Sequence, residues 1–209
     1  MTALPLLTWL SPSFPVGGFA YSGGLETAVA RGLVTDAEAV REWLAASLEG
    51  GAIRTDTLTV ALAAGVEDTG ELDALVLALA GSPTREAELR ALGAAFRNAA
   101  APWWPEGLDA PIAYPVALGA LVRAHGIDAG DAAEALALAA VTNAVQAAQR
   151  LLPIGQSAGV SIVAGLHPAI EALASEAVAA TTDDLHTATI CADICALGHP
   201  TIEPRLFRS

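Results

Sequence analysis

Lysine is absent from all 209 residues, so the ten basic side chains are all arginine. That absence excludes a Walker-A lysine on a phosphate, a Schiff base to pyridoxal phosphate or a carbonyl substrate, and a carbamylated lysine within this chain. Charge is scarce and one-sided: 23 acidic side chains set a formal charge of −13. A phosphate backbone requires a stripe of basic residues, so no nucleic-acid partner is expected. The balance suits a protein that meets basic or metal-carrying partners. Two cysteines cannot build a disulfide scaffold, and Cys191 and Cys195 stand one helical turn apart, where a bridge is geometrically poor. A reducing, cytoplasmic setting is therefore expected. Met1 to Leu10 has no basic segment and is interrupted by Pro5, which argues against a signal peptide.

Mean hydropathy is nevertheless positive, at +0.50. The most apolar stretch, Leu151 to Ile170, contains no charged residue. It also holds Pro153, Gly155, Gln156, Ser157, His167 and Pro168, without a basic cluster at either end, and so reads as a buried central helix rather than a membrane span.

Alanine and leucine dominate, a composition suited to helices packed closely on helices. Thr35 with Glu38 reads as a capping box before a stripe of Val40, Trp43, Leu44 and Leu48, closed by Gly50-Gly51. Further helices are predicted over about 54–64, 71–80, 83–101, 112–125, 131–152 and 154–180. Ser82-Pro83 opens the fourth of the seven, Asp131 with Glu134 starts the sixth, and Asp183 or Asp184 caps a last one reaching Leu197. Nothing alternates with period two for long enough to make a strand, and no linker or repeat divides the chain. The expectation is a single all-α domain over residues 1–209, a bundle of about eight to ten helices with a flexible tail over about 199–209.

Three segments differ from generic bundle sequence. Ser11 to Glu26, SPSFPVGGFAYSGGLE, mixes four glycines with three aromatics, as a sharply turning loop or a docking loop would. Ser22 can cap the following helix, and Glu26 falls near the positive end of its dipole. Asn143 to Gly165 carries Arg150 as its only charge, then a proline and Gln156; both polar groups require partners in such surroundings. Gly155 and Gly159, at i and i+4, allow close approach of another helix. The chain then closes on Arg205, Leu206, Phe207, Arg208 and Ser209, which suits either a peptide anchor or a tail packed on its own domain.

Two other chemistries stay open at this level. Gly155 to Gly159 matches the G-x-S-x-G nucleophile elbow, with Ser157 as a serine-hydrolase nucleophile and Asp183, Asp184 or Asp193 and then His199 downstream. That elbow works because a strand delivers the serine, and no strand is predicted here. Cys191, Cys195 and His199 fall at i, i+4 and i+8, so a continuous helix would align them as a metal or nickel-storage site. Gly198 and Pro200 suggest that the helix ends before His199, and cysteine in an Ala-rich helix is usually a small core residue.

The SPSFPVGGFAYSGGLE segment, the central arginine followed by LLPIGQ, and the terminal RLFRS resemble the hallmarks of the urease accessory protein UreF family. Tyr114-Pro-Val-Ala-Leu-Gly is similar to its middle motif, although histidine is usual where this chain has Tyr114. A His-Glu pair usual before RLFRS is replaced by Gly198-His199-Pro200 and Ile202-Glu203-Pro204. The resemblance implies an all-α, dimeric chaperone and not an enzyme. It would join a UreD (UreH)-type protein and the nickel-binding GTPase UreG in activating apo-urease: nickel insertion, carbamylation of the urease lysine and metallocentre assembly. No resident cofactor is implied, only transient nickel. By the same resemblance Phe14, Tyr21, Ser22 and Glu26 belong to the assembly surface, with the last three on the UreG side or the metal route. Arg150 and Gln156 line a polar passage or brace the dimer, and Arg205, Leu206, Phe207, Arg208 and Ser209 dock on the UreD-type partner.

Overall fold

The structure, a computed structural model, describes residues 4–108 and 110–208. Ten α-helices occur among them: α1 Leu4–Trp9, α2 Leu25–Ala30, α3 Ala37–Gly50, α4 Ala52–Gly65, α5 Gly70–Ala78, α6 Pro83–Ala99, α7 Tyr114–Ala124, α8 Ala129–Leu151, α9 Gln156–Ala179 and α10 Ile190–Gly198. No strand occurs among the described residues, so the all-α class read from the sequence is what the chain adopts.

The centre is α4, packed against α3, α7, α8 and α9. Its buried threonines are tolerated because each hydroxyl bonds within the helix: Thr57 to the Ile53 carbonyl and Thr59 to that of Thr55, both at 2.7 Å. Every residue of α7 from Pro115 to Val122 is buried. Gly119 lets α7 lie directly on α4, since a Cβ there would fall 2.5 Å from both the Ala63 Cβ and the Val60 carbonyl oxygen. Trp9, Phe96 and Trp103 add an aromatic corner with edge-to-face contacts at 6.4 Å.

Several sequence expectations are corrected. The cap of α3 is Asp36, whose carboxylate accepts from Ala39 N–H at 3.0 Å; Thr35 lies one residue too early. Asp128, not Asp131, caps α8. Asp183 and Asp184 belong to a short 3-10 turn, Thr182–Asp184, and α10 starts six residues later. The buried central helix expected over 151–170 is also overturned. The α9 helix lies on one side of the bundle, only 33% of its most apolar window is buried, and Val160 is 68% exposed. By length and composition α9 could cross a membrane. Its inward stripe, Ile162, Leu166, Ile170 and Leu173, packs on the bundle like that of an ordinary amphipathic helix.

The stretch expected as a flexible tail begins with a 3-10 turn at His199–Thr201 and doubles back, so that residues 205–208 meet the start of the chain. Ser209 lies outside the described residues.

Candidate functional site

The three unusual segments converge on one place. Residues 18–26 form its floor: a 3-10 turn Gly18–Ala20, then Gly23 and Gly24 with positive φ (59° and 83°), then α2. Glycine is required at Gly24 twice over, since its φ is left-handed and a Cβ would lie 3.0 Å from the Ala192 carbonyl oxygen of α10. Ser22 Oγ accepts from Glu26 N–H at 3.3 Å, close to the capping role expected of it.

Glu26 is turned inward and is only 4% exposed. Its Oε1 accepts from Leu206 N–H at 2.6 Å, and its Oε2 accepts from Phe207 N–H at 3.2 Å and from His199 Nε2 at 2.8 Å. Burial pushes this carboxyl up, but the donors from Leu206, His199 and Phe207 outweigh it and hold the group below its ordinary range. His199 is fully buried, and with Nε2 spent on Glu26 its Nδ1 has no hydrogen-bond partner.

Arg150, at the end of α8, reaches the same place from the other side. Its Nη1 donates to the Phe19 carbonyl at 2.9 Å, and its guanidinium lies over the Phe207 ring, 4.2 Å from the centroid. Arg208 N–H donates to the Ala20 carbonyl at 2.7 Å. Phe207 is thus buried, whereas Arg205, Leu206 and Arg208 are exposed. Among the expected site residues, Ser22, Glu26, Arg150 and Leu206 to Arg208 come together here.

The others lie elsewhere. Phe14 packs on Phe96 and Trp103 in the aromatic corner. Gln156 lines a groove between α8 and α9 with Val160, Val163 and His167. Tyr21, together with Ser22 of the site above, lines a partly open cavity of about 180 Å³. A second cavity, of about 70 Å³, shares Gly23, Trp43, Ser47, Asp56, Arg85 and Glu88 with it as walls. Arg85 bridges Asp56 at 2.5 Å and Glu88 at 3.0 Å. Burial alone would lower its pKa, but the two carboxylates raise it and keep the guanidinium charged. Burial and the Asp56 charge push the Tyr114 phenol up. Sequence reading missed this cluster; the available signals were Arg85 and Glu88 at i, i+3 and Asp56, which with Arg54 is one of only two charged residues in α4.

Neither alternative chemistry gains a geometry. Ser157 lies in the first turn of α9, no strand precedes it among the described residues, and His199 is engaged by Glu26. Among the described residues no three His, Cys, Asp or Glu side chains converge to hold a metal. Cys191 is exposed, Cys195 is buried, and α10 stops before His199. Burial, reinforced by Cys191, pushes the Cys195 thiol up, away from the thiolate a metal needs.

The sequence profile of UreF matches residues 34–167. The urease accessory protein UreF of Rhizobium johnstonii is 46% identical over 213 residues, covering 99% of this chain and 96% of that protein. The chain belongs to the UreF family. UreF of Rhizobium leguminosarum bv. viciae is 45% identical over 214 residues (99% and 96% of the two chains). That of Bradyrhizobium diazoefficiens is 41% identical over 218 residues (98% and 90%). Members of the UreF family are urease accessory proteins, chaperone-like in urease maturation, and not enzymes. Glu26, His199 and the tail lie outside the span of the UreF profile, Arg150 lies inside it, and the match to these relatives covers 99% of the chain.

Proposed function

We propose that this chain is the helical adaptor of a urease-maturation complex, bridging a UreD/UreH-type protein and the UreG GTPase so that nickel reaches apo-urease. The observation that carries the reading is the docking of the carboxyl-terminal tail onto the 18–26 segment and Arg150. One small surface thereby joins the three motifs, with the exposed tail side chains available to the UreD-type protein. Nickel is cargo here rather than a resident cofactor, and the neighbouring cavities walled by Asp56, Arg85 and Glu88 are the proposed polar route for it. The chain works in the cytoplasm as a homodimer, for which the uncharged outer face of α9 around Val160 and Gly165 supplies an apolar surface.

The test is co-purification from cells carrying the urease operon, with residues 205–209 present or deleted. Loss of the UreD-type protein on deletion supports the reading, and an unchanged complex overturns the tail assignment. Val160→Arg, read by light scattering, tests the dimer: a persistent dimer removes α9 from the interface.

A further inference from the structure

The tail displays different residues on its two sides. The backbone bends at Leu206 and Phe207, so that both N–H groups turn in to Glu26, and Leu206 is 60% exposed while Phe207 is 6% exposed. The inward side is held at four points: two backbone N–H groups on Glu26, the Arg208 N–H on Ala20, and the Phe207 ring under Arg150. We infer that Glu26 is a positioning residue that fixes the tail as a preformed docking edge, with Phe207 as an internal anchor and Arg205, Leu206 and Arg208 as the contacts offered to a protein partner. This rests on the partner-docking role proposed above for the tail and divides that role between residues that touch the partner and residues that hold the edge in shape.

The partner's chemistry follows from what is left outward. Two guanidiniums flank one exposed leucine, and neither forms an ion pair among the described residues. On a chain of charge −13 this edge is a local basic exception. It fits a protein surface with a small apolar hollow bordered by carboxylates, a pairing that guanidinium groups make in bidentate fashion. Ordering the tail before encounter removes an entropic cost that a disordered peptide meets on binding.

The test combines amide hydrogen exchange on the full chain with titration of the purified UreD-type protein. In the wild type the Leu206 and Phe207 amides are expected to be protected. Glu26→Gln is expected to expose them while α4 and α8 amides stay protected, and to weaken partner binding by about tenfold as the competent tail population falls. Leu206→Ala should weaken binding with tail protection intact, and Phe207→Ala should reduce both without disturbing the helices, which covers the case in which Glu26→Gln fails to fold. Unprotected tail amides in the wild type overturn the inference. So do Glu26→Gln and Phe207→Ala variants that lose tail protection yet bind at full strength, since the partner would then be reading a disordered peptide. Deletion of residues 205–209 without loss of binding removes the docking reading itself, while the protection pattern separately decides whether Glu26 orders the tail.

Discussion

Nε2 of His199 lies 2.8 Å from Oε2 of Glu26, both side chains are buried, and 173 residues separate them in the chain. The pair ties the start of α2 to the exit of α10 and places the carboxylate so that its remaining lone pairs meet the tail amides. Electrostatics at this point governs whether the ends of the protein stay together.

Acid should release the tail as the Glu26 carboxylate takes up its proton. Burial raises the Glu26 carboxyl, the donors from Leu206, His199 and Phe207 lower it by more, and its folded-state pKa ends below the ordinary 4.5. A lowered carboxylate contributes stability that is complete above its unfolded value and is lost as pH falls through its folded value. The amide shifts of Leu206 and Phe207, followed by NMR, are expected to stay constant at neutral pH and to titrate together with a midpoint below 4.5. A midpoint above that value would contradict the assignment of Glu26 as their acceptor.

Arg150→Ala removes the bond to the Phe19 carbonyl and the guanidinium over Phe207. Together these should cost tail docking about 1–2 kcal/mol. Arg150→Lys keeps the charge but loses the planar face, so it should recover only part of the loss. Hydrogen-exchange protection of the Phe207 amide measures both.

Arg85→Met leaves Asp56 and Glu88 facing each other without their cation and is expected to destabilise the chain by about 3–5 kcal/mol. Adding Asp56→Asn should return a sizeable part of that loss, because it removes one of the stranded charges. Urea denaturation of the two single variants and the double variant reads the coupling.

Gly119→Ala drives a methyl into α4 at the Ala63 and Val60 contact. Overpacking at such a crossing costs about 1–3 kcal/mol, which for a chain of this size is a fall in Tm of roughly 2–12 °C. Calorimetry at fixed protein concentration checks it, and an unchanged Tm would mean that α4 and α7 are farther apart than described.

The helical class was legible because it rests on repeated signals: the Val40–Leu44–Leu48 stripe, Ser82-Pro83 at the start of α6, and proline or glycine at the breaks. Caps were misplaced by one to three residues because adjacent Thr35 and Asp36, or Asp128 and Asp131, are chemically equivalent choices in sequence, and only backbone φ/ψ decides between them. The burial of α9 was misjudged for a different reason: hydropathy registers an apolar residue without registering what covers it, and Val160 and Val178 face outward. At the site, the residue set around Glu26 could be named from its motifs. Its geometry could not, since nothing local announces that a glutamate in the first turn of α2 accepts amides from positions 206 and 207. Arg85 and Glu88 share α6, but their link to Asp56 crosses to α4, and an ion pair between separate helices leaves no periodic trace.

The location of Glu26 also bears on when the protein becomes competent during its synthesis. A chain that stops before Leu206 has folded helices but a buried carboxylate missing two of its three tail and ring donors. The segment from Ala20 to Glu26 therefore reaches its final arrangement only after residues 206–208 have been made. On the docking role proposed above, a product truncated before Leu206 would carry that defect at its recruiting surface and be left out of the assembly.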